Sequence, residues 1–169
     1  MSGKLIIITS DDDIKLRDYE DYQSIQEGVG GGLFERICTE FMLPVDPVLC
    51  HGASEICCDM YCNEEFFYRS DNEFQKANAV SMLITGQPHI RGNVVLIPSD
   101  PETGNNRGFE YFEEEVDGEI EEALCECWSA EDILLRYINN NQDKLNEIHK
   151  AKDKDRDIPG WTIMTLGER

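Results

Sequence analysis

Apolar and polar positions divide the chain into short runs with different periods. Leu5-Ile6-Ile7-Ile8 is an unbroken apolar run closed by Asp11-Asp12-Asp13, the pattern of a short buried strand. Over residues 18–27, Tyr19, Tyr22, Ile25 and Gln26 recur at helical spacing and predict a helix. Gly28-Val29-Gly30-Gly31-Gly32 ends it, because glycine readily takes the positive φ that a helix stop needs. Residues 33–38 and 55–64 read as strands, with Pro44 and Pro47 marking the connection between them. Asn72 is placed to cap a helix over 73–84, which carries Phe74, Ala77, Val80, Ser81 and Ile84 on one side. Residues 92–97, rich in β-branched side chains, read as the closing strand.

A polar loop over 98–108 separates this unit, residues 4–100, from a third zone over 109–169. Ser129 is placed to cap a helix carrying Ile133, Leu134, Tyr137, Ile138, Leu145 and Ile148, with Glu131 and Asp132 in its first turn. Beyond the charged stretch 150–157, Trp161, Ile163, Met164 and Leu166 predict a segment that docks back on the core. The expected fold is α+β: a small mixed or antiparallel sheet with one or two packed helices. An acidic, mainly helical C-terminal region follows and packs on it.

Charge changes the picture most. The 169 residues hold 15 Lys and Arg against 35 Asp and Glu, a net charge of −20. That balance argues against direct nucleic-acid binding and anionic membranes, since phosphate backbones are held by Lys and Arg. It favours a partner protein with a basic surface, felt over a Debye length of roughly 8–10 Å. Solubility alone is the plainer account of the same charge. The apolar run near residue 5 is too short for a signal-peptide core. Seven cysteines, an odd count, are then expected as thiols in the cytoplasm.

Three candidate chemistries can be weighed. The glycines at 28–32 follow a helix and precede a strand, the reverse of a dinucleotide fingerprint, so they read as a turn. His51, Cys57, Cys58, Cys62, Cys125 and Cys127 offer zinc-ligand types. On a strand, however, Cys58, Met60 and Cys62 share one face, as buried core thiols do. His51, His89 and His149 lie in unrelated contexts, so no catalytic residue, metal or cofactor is assigned.

From 110 to 132 the chain has eleven acidic residues and no Lys or Arg. Phe109, Tyr111, Phe112, Val116, Ile120, Leu124 and Trp128 are interleaved with them, several at three- and four-residue intervals. The spacing predicts an amphipathic helix that packs one face and presents carboxylates on the other. Glu113, Glu114, Glu115, Asp117, Glu119, Glu121, Glu122 and Glu126 are the expected acidic binding surface. It reads either as a solvated face or as an imitation of a phosphate backbone.

The first zone also carries Val29-Gly30-Gly31-Gly32-Leu33-Phe34-Glu35, Asp59, Cys62-Asn63-Glu64-Glu65, Asn78-Ala79 and Ile90-Arg91-Gly92-Asn93-Val94-Val95-Leu96. In that order these elements resemble a small uncharacterised family of bacteriophages, plasmids and their hosts, a domain of unknown function. Phe66-Phe67 stands where the family has Gly-Lys, and the linker over 41–55 is long. The resemblance covers roughly residues 4–100. It implies an accessory protein of a phage or mobile element acting in the host cytoplasm, with Glu35, Asn63, Glu64, Glu65 and Asn78 around any pocket.

The leading expectation is therefore a non-enzymatic accessory protein whose acidic surface blocks a basic, nucleic-acid-binding site on a host defence or regulatory protein. One alternative is a protein that sequesters a nucleotide or other small molecule, which for an anion needs some of Arg36, Arg69, Arg91 and Arg107 to converge. A second is a Mg²⁺-dependent enzyme acting on nucleotides.

Overall fold

The computed structural model describes residues 3–50, 52–65, 76–116 and 119–151. Five strands form one antiparallel sheet: β1 (Gly3–Ile8), β2 (Ile14–Tyr19), β3 (Phe34–Pro44), β4 (Glu55–Asn63) and β5 (Val94–Pro98), in the order β2-β1-β5-β4-β3. Strands β6 (Tyr111–Val116) and β7 (Glu119–Cys125) form a separate two-stranded sheet. The helices are α1 (Tyr22–Gly28), α2 (Ala79–Thr85), α3 (Glu126–Asn140) and α4 (Gln142–Ala151). The fold is α+β, as expected.

The central strands are buried on both faces, so they read as unbroken apolar runs rather than alternating ones. Ile6 and Ile8 of β1, Cys58, Met60 and Cys62 of β4 and Leu96 of β5 face α2, α3 and α4 in the larger core. Leu5, Ile7, Tyr61, Val95 and Ile97 face the other way, onto α1 through Ile25 and Val29. A single two-turn helix is thus the only described helix on that second face, and it packs chiefly on β2 and β5. Gly28 sets how near it lies: a Cβ there would stand 2.6 Å from Val95 Cγ2. Among the described residues, no helix covers the second face over β3 and β4.

Several local expectations need correction. Asp18 and Tyr19 belong to β2 rather than to a helix. Thr9 makes the tight β1–β2 turn by accepting the N–H groups of Asp11 and Asp13 on its hydroxyl, and the resulting hairpin claims residues 14–19. The helix placed over 73–84 starts at Ala79, capped by Asn78, whose Oδ1 accepts the Ser81 N–H at 3.0 Å. Asn72 lies outside the described residues. Ser129 is not a cap but a buried residue inside α3, where its hydroxyl accepts the Asp46 N–H. The helix carrying Leu134 to Ile148 is two helices broken at buried Asn141, whose amide donates to the Tyr137 carbonyl. The segment 158–166 lies outside the described residues.

Gly28 to Gly32 do form a turn. Gly30, Gly31 and Gly32 have φ of 96°, 89° and 80°, the left-handed region that side chains other than glycine rarely enter. Cys58 and Cys62 are core thiols, 0% and 1% exposed. Burial pushes both thiols up, that of Cys62 to about 12, so they stay protonated. Cys57, by the strand alternation, lies on the opposite face. His51 lies outside the described residues.

Candidate functional site

The acidic segment is not a helix face. Residues 111–125 form the β6–β7 hairpin, with Val116 opposite Glu119 and only Asp117-Gly118 between the strands in sequence. Asp-Gly is the residue pair preferred by two-residue hairpin connections, and glycine costs a helix interior about 1 kcal/mol. That pair is the signal the four-residue spacing of Val116, Ile120, Leu124 and Trp128 obscured. Asp117 itself lies outside the described residues. Of the apolar residues expected to pack, Phe109 is fully buried, while Trp128 is 43% exposed on α3.

The hairpin concentrates charge along a short line. Strands of six and seven residues span roughly 20 Å at about 3.3 Å per residue. Glu113, Glu114, Glu115, Glu119, Glu121 and Glu122 lie on them. The register sets the first three beside the last three, so all six positions fall within roughly 10 Å at the end next to Val116 and Glu119. Duplex DNA carries one phosphate about every 1.7 Å of axis with both strands counted, a comparable linear density. Glu114 stands directly opposite Glu121 in the register, an arrangement that costs a sheet stability because like charges repel.

Glu126 departs from the expected surface. It is 7% exposed and sits at the hairpin's root, the first residue of α3. Its carboxylate accepts Arg107 Nη1 at 2.9 Å and Nη2 at 3.4 Å, and also the backbone N–H of Glu110 at 3.1 Å. One buried side chain thereby ties the residue before β6 to the start of α3. It anchors the hairpin rather than presenting charge.

Of the expected pocket residues, Glu35, Asn63, Glu64 and Glu65 lie together at one end of the β3–β4 pair, and the two asparagines serve the scaffold. Asn63 is fully buried and donates its amide to the carbonyls of Val29 and Gly31, holding the glycine turn, while its Oδ1 accepts the Glu65 N–H. Asn78 is also fully buried, donating to the carbonyls of Ile8 and Gly92 as it caps α2. Both amides are used up in scaffolding. Glu35, Glu64 and Glu65 are exposed side chains. Of the arginines an anion site would need, Arg36 lies beside Asp59 and Arg107 is held by Glu126. Arg69 lies outside the described residues.

A different pocket exists on the half of the sheet that α1 leaves open. Asp59, central in β4, is 3% exposed at the bottom of a cleft of about 260 Å³. Its Oδ2 accepts Asn106 Nδ2 at 3.1 Å, with Arg36 Nε at 4.0 Å. Tyr61 donates its hydroxyl to Asn106 Oδ1 at 2.9 Å, which orients that amide toward the carboxylate. The Arg36 guanidinium lies over the Tyr61 ring at 5.6 Å, and Phe34 meets the same ring edge-on at 5.3 Å. Glu40 and Asp100 stand at the rim, with Cys57 and Ser99 in the wall. Asp59 belongs to the motif series of the first zone, where the sequence assigns it no role. A lone acid inside Ile56-Cys57-Cys58-Asp59-Met60-Tyr61 is the signal that marks it.

His149 pairs with Asp12 at 3.0 Å and so ties α4 to the β1–β2 turn. Among the described residues, no three His, Cys, Asp or Glu side chains converge as metal ligands, and no helix is long and apolar enough to cross a membrane. No family model, curated protein or solved structure matches the chain.

Proposed function

We propose that this chain is a non-enzymatic accessory protein whose β6–β7 hairpin enters a basic, nucleic-acid-binding groove of a partner protein and occupies it. The observation that carries this reading is the charge of the hairpin: six glutamates on two paired strands within roughly 10 Å, a linear charge density close to that of duplex DNA. Two further features support it. The hairpin pairs in a sheet of its own, outside the five-stranded sheet. Its root is fixed by the buried Glu126–Arg107 pair. The resemblance of the first zone to phage and plasmid proteins suggests the setting, a host defence or regulatory protein in the cytoplasm.

The test is affinity capture with the intact chain at low and at about half-molar salt, beside a variant with the six hairpin glutamates changed to glutamine. Nucleic-acid-binding proteins retained at low salt, displaced by single-stranded oligonucleotide and absent from the variant's eluate are the expected result. Retention of the same proteins by the variant would overturn the reading, because charge-steered association depends on those carboxylates and weakens steeply with salt.

A further inference from the structure

Two consecutive residues tie the entry of the hairpin to opposite sides of the sheet. Residues 106–109 form a short strap between the polar loop and β6, and antiparallel bridges hold both its ends: Asn106 lies opposite Ser99, and Phe109 opposite Lys4. At the second bridge Phe109 donates its N–H to the Lys4 carbonyl at 2.6 Å, its own carbonyl accepts the Lys4 N–H at 2.9 Å, and its ring is fully buried. Between these ends the side chains diverge. Asn106 reaches Asp59 and Tyr61, on the second face of β4. Arg107 reaches Glu126 of α3, the helix that packs on the other face. Successive side chains of an extended segment point to opposite sides, so one short strap is gripped from both.

The grip on the sheet side explains an otherwise idle charge. Asp59 is 3% exposed and stands opposite Ile97 in an apolar strand pair, where a carboxylate adds nothing to the core. A buried carboxylate is costly unless donors replace the water it has lost. Asn106 Nδ2 is such a donor, at 3.1 Å from Asp59 Oδ2, and the Tyr61 hydroxyl donates to Asn106 Oδ1 at 2.9 Å. The amide is therefore fixed at both its oxygen and its nitrogen. One residue further on, Arg107 is held by the same Glu126 carboxylate that accepts the Glu110 N–H.

We propose that Asn106 is a positioning residue for the hairpin: held by Asp59 and Tyr61, it fixes the strap and, with the Arg107–Glu126 pair, sets the direction in which β6–β7 leaves the sheet. This rests on the reading that the hairpin is the binding element. A strap gripped on one side pivots. Gripped on both, it presents the hairpin in one orientation, and less ordering is left to be done on binding.

The experiment compares the intact chain with Asn106→Asp, with the exchanged pair Asp59→Asn and Asn106→Asp, and with Tyr61→Phe. Residual dipolar couplings and amide exchange are read over 111–125 and, for reference, in β1, β4 and β5. Affinity is read for a protein retained in the low-salt capture. Asn106→Asp sets two carboxylates against each other. It should alter the couplings over 111–125 and speed exchange there about tenfold or more, the worth of a hydrogen bond to a charged group, while the reference strands keep theirs. The exchanged pair again sets an amide donor against a carboxylate and should restore both readings. Should Asn106→Asp fail to fold, Tyr61→Phe, which removes only the hydroxyl, should speed exchange over 111–125 several-fold. Unchanged couplings and exchange over 111–125 would overturn the proposal. So would acceleration equal in hairpin and reference strands, or an exchanged pair that restores nothing, because each marks a general loss of stability. The couplings need no partner, so the two readings fail separately. Altered couplings with unchanged affinity would support the positioning role and count against the hairpin as the binding element.

Discussion

The five-stranded sheet and the β6–β7 hairpin are both antiparallel, yet they resolve opposite pressures. In the sheet, neighbours across the strands are apolar on both faces: Ile6 opposite Leu96, Ile7 opposite Val95, Met60 opposite Leu96. Burial of those side chains stabilises each pairing by area removed from water. In the hairpin, Glu114 faces Glu121 and Glu115 faces Ile120, and like charges set against each other weaken the ladder. An isolated two-stranded hairpin is marginal in water in any case. The comparison separates what holds the molecule together from what it presents. Changes in the sheet should move stability, and changes in the hairpin should move binding.

The sharpest break of that contrast is Leu96→Ala, which removes a fully buried side chain from the middle strand. It should cost about 2–5 kcal/mol in urea unfolding, the usual range for such a truncation. Glu126→Ala comes next, since it removes the carboxylate that holds Arg107 and the Glu110 N–H at the hairpin's root. About 1–3 kcal/mol is expected. Amide exchange over 111–125 should speed up while that of β1, β4 and β5 stays protected.

One pH effect belongs to the sheet. Burial raises the Cys62 thiol from 9.0 to about 12, so the unfolded chain gives up its proton first as pH rises. The contribution is fully present below pH 9.0 and is lost as pH climbs from there toward 12. Unfolding midpoints should fall over that window, and less steeply in Cys62→Ala. The smallest effect is in the hairpin: Glu121→Lys places opposite charges across the register from Glu114 and should stabilise the chain by roughly 0.2–1 kcal/mol. The same substitution should weaken capture of basic partners, so stability and binding would move in opposite directions.

How much of this could be seen in the sequence follows from the same division. Strands β1, β4 and β5 were legible because apolar runs such as Leu5-Ile6-Ile7-Ile8 are dictated by burial on both faces. The glycine turn was legible because three successive positive φ angles leave little choice of residue. The hairpin was not. Val116, Ile120 and Leu124 fit a helical period, and only the local chemistry of Asp117-Gly118 argues otherwise. Asn63 and Asn78 stood out as polar residues, but their bonds run to Gly31 and Gly92, distant carbonyls that no local pattern shows. Glu126 looked like one more surface acid because its partner, Arg107, lies 19 residues away. The Asp59 cleft was hidden for a related reason. It exists because α1 spans only part of one face, a matter of helix length and packing rather than of any motif.

The central claim is that the hairpin's carboxylates, as an ordered line, do the binding. Its most direct measurement is the affinity of the intact chain for a captured nucleic-acid-binding protein, by fluorescence anisotropy across a series of salt concentrations. A steep fall of log affinity with log salt is predicted, with a much shallower slope when the six hairpin glutamates are glutamines. An affinity independent of salt, or the same slope in both proteins, would contradict it.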